Sequence, residues 1–103
     1  MVTIEFDRDN LGVTAKGHAQ SGEAGHDLVC AATSALIYTL AADVERLGHP
    51  STIRLEEGDA VISCKPSEDY RLMVVFLFES ICVGFEMLSV DYPEFVSYSI
   101  VEG

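Results

Sequence analysis

Five short stretches of this chain alternate apolar and polar residues with a period of two, and two longer ones repeat apolar residues with the period of a helix. Val2 to Phe6 reads as a half-buried strand, Asp7 to Asn10 has turn chemistry, and Leu11 to Lys16 continues as a second strand antiparallel to the first. From Leu28 to Leu47, the positions Val29, Leu36, Ile37, Leu40, Val44 and Leu47 follow helical spacing, and Gly48 with Pro50 ends the run. Thr52 to Glu56 and Ala60 to Lys65 flank Glu57-Gly58-Asp59, a hairpin signal. A second helix is expected from Ser67 or Glu68 to about Val90. Residues 73 to 78, MVVFLF, would pass alone as a buried strand, but the continuation ESICVGFEML is too long for one. Pro93 follows that helix, and Phe95 to Val101 alternates as a last strand. These elements predict a single small domain over residues 1–103, of α/β character (α+β type): a mostly antiparallel sheet of about five strands with two helices. Glu79 and Glu86 fall close together on the second helix and leave apolar residues around most of its circumference. A helix so apolar in so small a domain implies that another subunit covers part of it.

Composition narrows the picture. A chain of 103 residues holds one core with little margin, and 49% hydrophobic against 22% charged residues argues against disorder. With 17 acidic and 6 basic residues the formal charge is -11, which repels phosphate backbones and anionic lipid and so excludes direct nucleic-acid binding. An acidic surface suits a basic polypeptide partner, although solubility alone accounts for it equally well. Three cysteines, none in a CxxC pair, and no charged leader with an apolar core favour a reduced cytoplasm over secretion. No uninterrupted apolar run reaches the roughly 20 residues of a membrane helix, so no membrane partner is expected.

The chemistry concentrates in residues 17–34, GHAQSGEAGHDLVCAATS. They read as a strand end, a glycine-rich loop and the first turns of a helix, with a histidine before the loop and a cysteine after it. Gly22 and Gly25 give the loop backbone freedom, Asp27 stands where an N-cap belongs, and Cys30 is expected in the first helical turn. A thiol there ionises more readily, because unpaired amides and the helix dipole favour the thiolate. If His18 folds back over the loop, the two form a thiolate–imidazolium pair suited to nucleophilic hydrolysis. Ser34 lies one turn beyond Cys30 on the same face, placed to bond the thiol, a ligand or a carbonyl of its own helix.

Gly17-His18-Ala19, Gly25, Asp27, Val29-Cys30-Ala31-Ala32 and Ser34 together resemble, with spacing intact, the motif of the ribosomal-processing cysteine protease family, Prp. The resemblance implies a bacterial cytoplasmic endopeptidase that removes an N-terminal extension from the large-subunit ribosomal protein L-twenty-seven, cuts after an aromatic residue and acts as a homodimer without a cofactor. It puts the family's histidine on His18 and its nucleophile on Cys30, with supporting positions at Asp27 and Ser34. Gln20, Ser21, Glu23, Ala24 and His26 fall where the family varies. Amides near Gly25 to Val29, or in the loop at Gly22, are candidates for stabilising an oxyanion.

Other readings of the same residues are weaker. Cys64 and Cys82 lie inside apolar elements without a nearby base and read as structural, and His49 between Gly48 and Pro50 reads as a solvated turn residue. His26, four residues before Cys30, competes with His18 as the base, but the motif selects His18. His18, His26, Asp27 and Cys30 do not have the spacing of a common zinc site. A non-catalytic acidic binding module of ribosome assembly is the alternative to the protease.

Overall fold

The computed structural model describes residues 1–17 and 26–102, except for the side chains of His26 and Asp27. Strands β1 (Val2–Asp7) and β2 (Gly12–Lys16) lead to helix α1 (His26–Leu47). Then come β3 (Ser51–Glu56), β4 (Asp59–Cys64), a single 3-10 turn at Glu68–Tyr70, helix α2 (Arg71–Asp91) and β5 (Val96–Val101). The strands form one sheet in the order β3-β4-β2-β1-β5. Three pairings are antiparallel, and β5 runs parallel to β1, so the sheet is mixed. Strand periodicity cannot reveal that last pairing: β5 reaches its edge after the crossing of α2, and direction there depends on the connection.

Both helices pack on one face of the sheet. Alternation sends Val2, Ile4 and Phe6 of β1, Val13 and Ala15 of β2, and Ala60, Ile62 and Cys64 of β4 into that layer. There they meet Val29, Leu40 and Val44 of α1 and Val74, Phe78, Cys82 and Phe85 of α2. Phe6 stacks on Phe78 with ring centroids 6.0 Å apart. The helices approach closely at Gly84, where a Cβ would come within 2.8 Å of Leu36 Cδ1. That contact explains a glycine inside a helix, where its backbone entropy is otherwise unfavourable.

Several element boundaries differ from expectation for local reasons. Leu11 is not the first residue of β2. It takes φ 50° in the turn that Asp7 organises by accepting the Asn10 backbone amide at 3.1 Å, and its side chain is completely buried. Burial there offsets a backbone state that costs about 1–3 kcal/mol. Residue 58, at the tip of the β3–β4 hairpin, has φ 74°, as glycine allows. By length and hydropathy both helices reach the threshold for crossing a membrane, contrary to the reading of interrupted apolar runs. Each nevertheless lays a buried face on the same sheet.

Candidate active site

Helix α1 begins at His26, earlier than expected. Asp27 therefore lies inside the first turn rather than at the N-cap, where a carboxylate still complements the dipole. His26, expected as the last residue of the loop, belongs to the helix. Cys30 opens the second turn instead of lying in the first. Within the helix, the amides without an intrahelical acceptor are consequently those of His26 to Leu28, and not that of Cys30. Because the dipole effect decays over the first turn, it does less for this thiol than a first-turn position would imply. His18, Gly22 and Gly25 lie outside the described residues, as does the side chain of Asp27.

Cys30 is half-buried on the wall of a cleft of about 480 Å³. One wall is a stripe of α1, Cys30, Thr33, Ser34, Ile37 and Tyr38, whose i, i+3, i+4, i+7, i+8 spacing marks one side of a helix. The facing wall is the hairpin tip, Leu55 to Ala60, and Val2, Ala15 and Gly17 complete the lining. Thr33, the buried polar member, donates to the Val29 carbonyl at 2.8 Å. Ser34 also faces the cleft, and no hydrogen bond of its hydroxyl occurs among the described residues, so the back-bonding role belongs to Thr33.

Gly17 ties the end of β2 to this cleft. Its amide donates to the Gly58 carbonyl at 3.0 Å, and its φ of 106° belongs to glycine. A Cβ built there would overlap the Met1 carbonyl oxygen. Held between the N-terminal strand and the hairpin tip, Gly17 turns the chain out of β2 at the cleft, immediately before His18.

The remaining cysteines are in different surroundings. Cys64 is buried in β4, and burial raises its pKa. Cys82 is pushed up to about 11, chiefly by burial, against a lowering hydrogen bond with Tyr98 and with a further rise from Glu79. Both are held as neutral thiols and do not line the cleft, as their sequence setting implied. His49 is partly buried, not simply solvated: its ring tilts against Tyr70 at 5.3 Å. Among the described residues no three His, Cys, Asp or Glu side chains cluster as metal ligands.

The described part of the site is thus a half-buried thiol near a helix start, in a cleft bordered by the residue before His18. The model of the family described as cysteine protease Prp matches residues 1–97. This chain belongs to that family. It is a cysteine peptidase. No curated protein sequence matches it. Among solved structures, SMU.848 from Streptococcus mutans is 30% identical, with a TM-score of 0.75 over 99% of this chain and 93% of that one. The ribosomal processing protease Prp from S. aureus, solved with a covalently linked product peptide, is 21% identical with a TM-score of 0.75, covering 98% of this chain and 100% of that one. The same protease solved with a substrate peptide gives 21% identity and 0.75, covering 97% of each chain. The Prp fold is thus the five-stranded mixed sheet with two helices described above.

Tyr38 and the hairpin residues Leu55 to Asp59 were not singled out as site residues from sequence. A signal existed for Tyr38, which continues the spacing of Cys30 and Ser34 by another turn. None existed for the hairpin, which reaches the cleft only through strand order.

Proposed function

We propose that this chain is a cytoplasmic endopeptidase that removes the N-terminal extension of the large-subunit ribosomal protein L-twenty-seven, using Cys30 and His18. The observation that carries the reading is the common cleft of Cys30 and Gly17, which brings the residue preceding His18 to the cleft that holds the thiol. Cys30 attacks the scissile carbonyl, His18 protonates the departing amine, and water activated by His18 then hydrolyses the thioester. The amides of His26 to Leu28, which lack intrahelical acceptors, are suited to the developing oxyanion. The formal charge of -11 favours a basic precursor.

The protein acts as a homodimer in this reading. Leu72, Phe76, Val83, Met87 and Val90 are exposed on the face of α2 opposite its buried side, and a contiguous apolar stripe of that kind is usually covered by a partner.

The test is to incubate the protein with the ribosomal precursor and read the new N-terminus by mass spectrometry. Cleavage following an aromatic residue is expected, together with its complete loss in Cys30→Ala. Full activity in that variant rejects the mechanism, and an uncleaved precursor rejects the substrate.

A further inference from the structure

Tyr38 and Leu55 have no structural explanation in the monomer. Tyr38 is 60% exposed and Leu55 42% exposed, and neither belongs to the core. Both line the cleft that contains Cys30, from its opposite walls. Tyr38 lies eight residues after Cys30, about 12 Å along the helix axis at 1.5 Å per residue. An extended peptide covers that distance in about three to four residues at roughly 3.3 Å each.

We propose that Tyr38 and Leu55 form a distal subsite that receives an apolar side chain of the substrate, about three to four residues from the scissile bond. The inference rests on Cys30 being the nucleophile of a peptidase, and it adds a specificity contact remote from the bond that breaks. Two apolar side chains on facing walls sandwich a third and remove it from water, which favours an aliphatic or aromatic residue there. Glu56 and Glu57 border the same cleft and make the site unfavourable for an acidic side chain by like-charge repulsion. A contact so far from the reacting atoms binds ground state and transition state alike, so its loss raises KM and leaves kcat nearly unchanged.

The experiment pairs two Tyr38 variants with an alanine scan of a peptide spanning the precursor's cut site, covering about four residues on either side of the scissile bond. On the parent peptide, Tyr38→Ala is expected to raise KM about tenfold, while Tyr38→Phe, which keeps the apolar ring, stays within about twofold. The Tyr38→Ala loss should vanish on the one peptide whose distal apolar residue is already alanine. An equal loss on every peptide, or a fall confined to kcat, overturns the proposal. Fluorescence anisotropy of the same labelled peptides with Cys30→Ala reads the subsite without turnover. The same pairwise loss in binding upholds the subsite even where no cleavage occurs and the peptidase reading fails. Binding indifferent to Tyr38, or no binding at all, overturns it.

Discussion

Gly17 is the residue on which the geometry of this site turns most sharply. Its positive φ, the overlap awaiting any Cβ and its hydrogen bond to Gly58 leave no room for a side chain at the point where the chain departs toward His18. Gly17→Ala should therefore destabilise the protein by more than about 1 kcal/mol. It should also lower kcat/KM further than that loss explains, because the strand end must move relative to Cys30. Denaturant unfolding and peptide cleavage on the fully folded variant check this, and unchanged values for both would show that the strand end tolerates displacement. The cysteines show how the same residue type takes opposite roles. Cys30 stands at a cleft, whereas Cys64 and Cys82 are shut into the layer between sheet and helices.

At the scale of elements, the seam between α2 and β5 links packing to protonation. Cys82 and Tyr98 meet there by hydrogen bond, and burial raises the pKa of both. A group whose folded pKa lies above its unfolded value stabilises the fold fully below the unfolded value, and that contribution is lost as pH rises through the folded one. For Cys82 the window runs from 9.0 to about 11. Stability to urea should accordingly decline across that range. Cys82→Ser, which keeps a hydroxyl for Tyr98 but does not titrate there, should decline less steeply, with Tyr98 supplying the remaining slope. Parallel slopes for the two proteins would remove Cys82 from the account. The facing helix α1 divides its circumference between core and site: Val29, Leu40 and Val44 are buried in the core, while Cys30, Ser34 and Tyr38 line the cleft.

For the whole molecule, the sheet carries both helices on one side, and the outward face of α2 keeps Leu72 84% and Phe76 70% exposed. A charge placed in the middle of that stripe would be costly to bury between two copies. If the proposed homodimer buries this face, the parent protein sediments as a dimer in analytical ultracentrifugation and Phe76→Glu as a monomer, with the monomer's fold retained by circular dichroism. Identical sedimentation of the two would remove this face from the interface. The cleft belongs to the other end of the sheet, between α1 and the β3–β4 hairpin.

Periodicity, segment length and turn residues together determined that there are five strands and two helices, and nearly where each begins, because all three are local properties of neighbouring residues. The glycines and the His18–Cys30 spacing likewise make the motif legible along the chain. Sequence did not reveal the parallel pairing of β5 with β1, the left-handed turn at Leu11, or the start of α1 at His26, which moved Asp27 off the cap and Cys30 into the second turn. Those depend on how connections cross and how a buried side chain offsets a strained backbone. Only tertiary structure put Tyr38 and Leu55 in one cleft and pinned Gly17 to Gly58, because helix packing and strand order bring together positions about 17 and about 41 residues apart, which no local pattern encodes.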